Sequence, residues 1–455
     1  MASKVKDMTQ GRPLGLIVSF ALPLMAGSVF QQMYTVVDTM VVGKALGVDA
    51  LAALGATDWL TWLVIGMLQG FTQGFGILMS REFGARQYAE LRRVVRTAVR
   101  LSVIFAGVFL VLAQLGASSM LSLLNTPDKV RGNAMLYLRL MFLGIPVIFA
   151  YNLLATILRS LGDSQTPLTA MIVASLTNIG LDLLFVLVFR WGIAGAAVAT
   201  LMAQLLSCVF CYLRIRKIEV LKRAGGDTDP DSRLAVRLMN LGWPMALQNG
   251  IIAVGGLIIQ AVVNGYGVTF LAGYTATNKL FGLLELAAVS FGYAMITYAG
   301  QNLGAGKLRR IRQGLSAATV SAVVISLVIC GFMLLAGRGI LGLFLSGDPA
   351  EVKLAIDAGF RYLSFMSLGL PVLYVLHVVR SAVQGMGNTV LPMVSGIAEF
   401  VMRTGCVLIL PAFLGEDGIY TAEIAAWAGA DVILIPSFFI TMAAVQRKMG
   451  TEEQS

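Results

Sequence analysis

Charge is scarce in this chain. Asp, Glu, Lys and Arg make up 13% of its 455 residues, where soluble proteins carry about 25%. With a mean hydropathy of +0.81, that shortage excludes a water-solvated globule. Histidine occurs once, and no metal-ligand cluster or nucleophile–base arrangement is visible, so neither a cofactor nor enzyme activity is expected. The four cysteines imply no disulfide framework. Cys208 and Cys211 have C-x-x-C spacing but lack the flanking features of a redox or zinc motif. Like Cys330 and Cys406, they sit in apolar stretches and read as small packing residues. No G-x-x-x-x-G-K-[ST] loop is present, which excludes direct ATP hydrolysis and leaves an ion gradient, or a partner chain, as the energy source.

What fills the chain instead is a succession of apolar runs long enough to cross about 30 Å of hydrocarbon as helices. The pattern predicts an all-α membrane protein of twelve transmembrane helices, near 14–42, 50–78, 94–120, 133–157, 165–189, 193–216, 236–264, 270–299, 311–336, 352–384, 389–414 and 418–445. Most of the 34 Lys and Arg then fall at the two termini and in the even-numbered loops. That bias predicts a multi-pass protein of the cell membrane with both termini in the cytoplasm. The net charge of +10 therefore reads as topology and lipid-headgroup contact (Arg92, Arg93, Arg96; Lys307, Arg309, Arg310, Arg312) rather than nucleic-acid binding. The first apolar stretch exceeds a signal-peptide core and is expected to be a retained span.

The runs are duplicated. Gly47-Val48…Leu51-Ala52 recurs as Gly267-Val268…Leu271-Ala272, and Gly84-Ala85 recurs as Gly304-Ala305. Gly162-Asp163-Ser164-Gln165-Thr166-Pro167 recurs as Gly387-Asn388-Thr389-Val390-Leu391-Pro392. Pro23 matches Pro244, and Pro146 matches Pro371. The halves are expected as lobes 1–216 and 236–455, joined by a cytoplasmic linker at 217–235. Six helices per half makes the repeats parallel, as in two-lobed transporters that hold substrate between their lobes. Proline leaves a carbonyl unpaired inside a span, so Pro23 and Pro244 are candidate hinges; a static packing kink is the competing reading.

Charges inside the spans break the symmetry. Asp38 lies in an apolar helix, with Gln31 on the same face. A carboxylate at membrane depth is costly and marks function. Asn178 and Asp182 share a face of the fifth helix, Thr200 and Gln204 one of the sixth, and Tyr137 sits near the start of the fourth. At about 1.5 Å per residue, Asp38 lies roughly 9 Å, and Asp182 and Thr200 roughly 12 Å, from the outer ends of their helices. These groups are expected to converge on one polar pocket, where paired carboxylates would hold a proton or, with the amide and hydroxyl oxygens, a monovalent cation. The aligned positions in the second half are apolar, near Ile259 and Val407. That half instead carries Glu285, His377 and a Glu399–Arg403 pair, the last expected to bond to each other on one helix face.

At these residues the chain resembles the multidrug and toxic compound extrusion (MATE) family. The resemblance rests on Pro23…Gln31…Asp38, the Gly84-Ala85 loop, Arg159…Gly162-Asp163…Pro167, Asn178…Asp182 and Gln384-Gly385-Met386-Gly387-Asn388…Pro392, in that order along the whole chain. It implies two pseudo-symmetric six-helix lobes forming a V-shaped cleft, and export of cationic or amphipathic compounds in exchange for H+ or Na+ by alternating access. It implies a coupling-ion site at Asp38, Gln31, Tyr137, Asn178, Asp182 and Thr200, with bending of the first helix near Pro23. Some relatives also use second-lobe acids. Here the seventh helix offers Gln248 and Asn249 but no carboxylate, leaving Glu285, His377, Gln248 and Gln204 as substrate-binding candidates. The expected partners are small molecules and membrane lipids, with the chain acting as a monomer.

A flippase for a lipid-linked or polysaccharide precursor is the main alternative. It would need a strongly basic central cavity. Only Lys279 and Arg403 read as cations within spans, against Asp38, Asp182, Glu285 and Glu399, a balance that favours cationic cargo. A channel or sensor is disfavoured by the duplicated kinks and by the lack of a soluble input domain.

Overall fold

A computed structural model describes residues 5–124, 126–222, 232–266, 268–343 and 349–452. No strand occurs among them. In a bilayer each backbone N–H and C=O must be satisfied internally, and apolar runs of this length do so as helices. Along the first copy these are α1 (Pro13–Leu46), α2 (Val48–Gly84) and α3 (Tyr88–Leu123). Next comes α4 in two pieces, Asp128–Leu143 and Ile145–Ser160, then α5 (Gln165–Asp182), which continues as a π-helical stretch Leu183–Val188, and α6 (Ile193–Ile215). The second copy comprises α7 (Ser232–Val263), α8 (Val268–Gly304), α9 (Leu308–Gly342) and α10 (Pro349–Gly385). It ends with α11 (Val390–Ile409, with a short extension Pro411–Leu414) and α12 (Asp417–Glu452). Eleven helices are long and apolar enough to cross a membrane, and the bent pair of α4 makes a twelfth span. The twelve expected helices are therefore present, most of them longer at both ends than the apolar runs alone.

Two compact units emerge from the contacts. One comprises 1–8 with Leu22–Gly250, the other Thr9–Ala21 with Ile251–Ser455. The sequence halves 1–216 and 236–455 thus exchange helix ends: the start of α1 groups with the second copy, and the first half of α7 with the first. Within the linker, 223–231 lies outside the described residues.

The first unit is closed by small residues. Gly70 and Gly74 of α2 face the α7 backbone so closely that a Cβ on either would collide with Ala246 or Gly242. Such contacts let helices approach where no hydrophobic force between them operates. Both Gly-Asx turns form in the same way. Gly162 and Gly387 adopt φ of 80° and 89°, and the following Asp163 and Asn388 cap the next helices. Thr166 N donates to Asp163 Oδ1 at 2.9 Å, and Leu391 N to Asn388 Oδ1 at 3.2 Å.

The prolines behave unequally. α4 bends by 47° at Gly144, which places Pro146 in the first turn of the second piece, where its missing N–H costs no bond. Its counterpart Pro371 lies inside an unbroken α10, as Pro23 and Pro244 lie inside unbroken α1 and α7.

Candidate functional site

In the first unit, α1 carries Asp38 at 6% exposure, and α5 carries Asn178 at 1% and Asp182 at 0%. Asp182 is the last α-helical residue before the π-helical stretch Leu183–Val188. Such irregular turns gather at functional positions, and sequence periodicity does not announce them. Asp182 lies within electrostatic range of Asp38. Buried Tyr137 and half-buried Tyr34 are within range of both. Asn178 Nδ2 donates to Thr200 Oγ1 at 3.4 Å, joining α5 to α6. Five of the expected residues (Asp38, Asp182, Asn178, Thr200 and Tyr137) therefore come together. Gln31 is exposed, but its side chain hydrogen-bonds Tyr34, so it reaches the rim of the same cluster.

The pocket's chemistry lies in what its oxygens lack. Asp38 Oδ1, Asn178 Oδ1 and both Asp182 oxygens are buried without a hydrogen-bond partner. Neither carboxylate forms a salt bridge with any described residue. Buried acceptors are almost always matched by protein or ordered water, and a cluster of acceptors with formal negative charge also suits a proton or a cation. The Thr35 and Thr39 hydroxyls donate back to α1 carbonyls at 3.1 and 2.8 Å, so their protons are not available to the carboxylates. Asp58 of α2, exposed but within electrostatic range of Asp38, extends the acidic surroundings. The sequence showed this carboxylate inside a predicted span, but depth alone gave no reason to join it to Asp38.

The second unit pairs its charges. His377 Nε2 lies 3.3 Å from Glu285 Oε1, between α10 and α8. The expected Glu399–Arg403 pair forms at 2.9 Å, but it is half of a larger network. Arg380 of α10 donates to Glu399 at 2.7 Å, and Arg403 also reaches Glu423 of α12 at 2.9 Å. Counting Lys279 and Arg403 as the only intramembrane cations therefore fails. Arg380 is 7% exposed and belongs to the interior, although its place near the end of a predicted helix suggested a loop charge. Glu423 and Asp431 likewise add carboxylates to α12. Of the remaining candidates, Gln248 is 2% exposed and lies in the first unit, and its neighbour Asn249 donates to the Gly66 carbonyl at 2.8 Å. Lys279 is exposed.

The duplicated architecture has known counterparts. The MatE family profile matches residues 23–184 and again 244–406, once per copy. The probable multidrug resistance protein YpnP of Bacillus subtilis strain 168 is 29% identical over 423 residues, covering 91% of this chain and 92% of its own. YoeA of the same organism, also described as a probable multidrug resistance protein, is 30% identical over 335 residues, 72% of either chain. A crystal structure of MATE in complex with MaL6 superposes with a TM-score of 0.89 at 22% identity, over 98% of this chain and 100% of that one. The chain belongs to the MatE family, and it is a multi-span membrane transporter of small molecules and not an enzyme.

Proposed function

We propose that this transporter exports cationic or amphipathic compounds in exchange for H+ or Na+, with Asp38 and Asp182 as the coupling-ion site. The observation that carries the reading is the cluster of unmatched buried oxygens on Asp38, Asn178 and Asp182. Unmatched carboxylate oxygens are stabilised by a bound proton or cation and are costly to bury without one. That penalty gives ion binding and release a means of biasing two conformations. Relatives described as probable multidrug resistance proteins support drug-like small molecules as cargo. In this reading Asn178 and Thr200 orient the carboxylates, and Tyr137 closes the pocket's edge. Pro23 and Pro244 permit bending, Glu285 and His377 meet the cargo, both termini are cytoplasmic, and one chain suffices.

The second copy bears on the flippase alternative. Its buried arginines Arg380 and Arg403 are already bonded to Glu399 and Glu423, so neither is free to hold a pyrophosphate in the interior. The deciding experiment is substrate-driven ion movement in proteoliposomes, with Na+ and pH gradients imposed separately. Ion flux opposite to a cationic dye such as ethidium is the expected result. Dye-independent turnover of a lipid-linked precursor would replace the reading.

A further inference from the structure

The second copy has an open groove where its sequence departs from the first copy's. About 590 Å³ in volume, it lies between the start of α1 and the first turns of α9 and is lined by Leu14, Arg312, Gln313, Ser316, Val320 and Ser321. The repeat offset at Gly84 and Gly304 is carried on to α3 and α9. Arg312 then matches Arg92, Ser316 matches Arg96, and Val320 matches Arg100. Two arginines of the first copy are thus replaced by a hydroxyl and an isopropyl group on the α9 face that lines the groove.

Its polarity is graded. Arg312, Ser316 and Val320 recur at i, i+4 and i+8, one stripe of α9 about 12 Å long. The stripe continues into apolar, exposed Val324 and Val328. At its polar end, Lys307, Arg309, Arg310 and Arg312 stand with no acidic residue between Glu285 and Asp348. Arg312 makes one long bond, to Gln446 Oε1 at 3.4 Å, and neither it nor Arg309 forms a salt bridge with a described residue. Elsewhere in the same unit, Arg338 and Arg361 are paired with Asp357 and Asp417. In the first copy, Glu90 holds Arg93 at 2.9 Å, and Arg92 donates to the Val220 carbonyl at 3.3 Å.

We infer that this groove binds one anionic phospholipid of the cytoplasmic leaflet, with its phosphate on Arg312 and an acyl chain along Val320 and Leu14. Guanidinium matches phosphate geometry, and Gln313 and Ser316 supply neutral donors beside it. The positive-inside bias puts this end of α9 at the inner, anionic membrane surface. The occupant is a lipid rather than free phosphate because the groove passes from a charged mouth to a lipid-facing apolar track.

The test is native mass spectrometry of the full chain released from detergent, after incubation with phosphatidylglycerol, phosphatidylcholine or inorganic phosphate. One retained phosphatidylglycerol is expected, with little phosphatidylcholine and no phosphate. Arg312→Gln should lower retention about tenfold. Ser316→Leu, which fills the space beside Arg312 and removes a neutral donor, should also lower it although every positive charge is kept. Gel-filtration monodispersity and unchanged helical circular dichroism establish that each variant is folded; should either misfold, Ser316→Gln fills the same space without charge and is expected to lose the lipid. Equal retention of both lipids, or undiminished phosphatidylglycerol binding by the groove-filling variant, would overturn the assignment in favour of diffuse surface charge. Because dye efflux is not the readout, failure here and failure of the export reading are separable.

Discussion

Arg403 reaches Glu399 at 2.9 Å from one turn further along α11, and neither side chain has access to water sufficient to stabilise it alone. Arg380 takes the other Glu399 oxygen, and Glu423 takes the far side of Arg403, so two acids and two bases neutralise one another inside the second unit. Removing one member of such a set strands a buried charge, which costs about 3–5 kcal/mol. Glu399→Gln should therefore lower the unfolding temperature in detergent by many degrees. Arg338→Ala breaks the exposed pair with Asp357 and should cost under about 1 kcal/mol. Comparable losses from both would mean that the network contributes no more than a surface pair.

Asp38 and Asp182 are predicted to act as one unit. Asp38→Asn should abolish gradient-driven dye efflux from energised vesicles while insertion and folding persist, and Asp182→Asn should do nearly the same. The double variant should be no worse than either single, since groups sharing one bound ion are strongly non-additive. Additive losses would separate the two carboxylates. Normal efflux by Asp38→Asn would remove it from the mechanism.

Much of this was legible because membrane helices announce themselves through length and hydropathy, and because the duplication let each half check the other. Asp38 and Asp182 were visible since a carboxylate amid apolar span residues has no cheap explanation, and Asn178 came with Asp182 by sharing its helix face. What escaped had a common cause. Arg380 sits near a helix end, where position alone suggests topology, and only the packing of α10 against α11 reveals that it faces Glu399. Glu423 and Asp58 lie in recognised spans, but a helical face has no meaning until its neighbour is known. The π-helical stretch after Asp182 has no compositional mark in Leu183–Val188. Exposed Gln31 shows the converse: sharing a face with Asp38 by periodicity did not bury it.

Gly74 tests the close crossing of α2 and α7. A Cβ there would strike the backbone at Gly242, which cannot swing away as a side chain would. Gly74→Ala should therefore separate the helices and lower the unfolding temperature markedly. Overpacking of this kind costs about 1–3 kcal/mol. Gly107 of α3 has open space around its Cβ position, so Gly107→Ala should be neutral or slightly stabilising, as helix propensity alone favours Ala by up to about 1 kcal/mol. Melting curves of the two variants in the same detergent make the comparison; equal effects would mean that the crossing tolerates a side chain.

The matched Gly-Ala turns offer a swap between copies. After Gly84-Ala85 the first copy places Arg86 at φ 57°, and after Gly304-Ala305 the second places Gly306 at φ 72°. An L-residue in this left-handed region carries about 1–2 kcal/mol of strain that glycine does not. Arg86 gains only an exposed contact with Asp7 at 3.6 Å, which contributes little at a wet surface. Arg86→Gly should hence stabilise the protein modestly, by up to about 1 kcal/mol after the larger chain entropy of unfolded glycine is subtracted. Gly306→Ala should destabilise it by a similar amount, with dye efflux unchanged in both. Paired thermal melts at high salt, where the Asp7 contact is screened, make the signs unambiguous. A destabilised Arg86→Gly under those conditions would show that the turn depends on the arginine side chain rather than tolerating it.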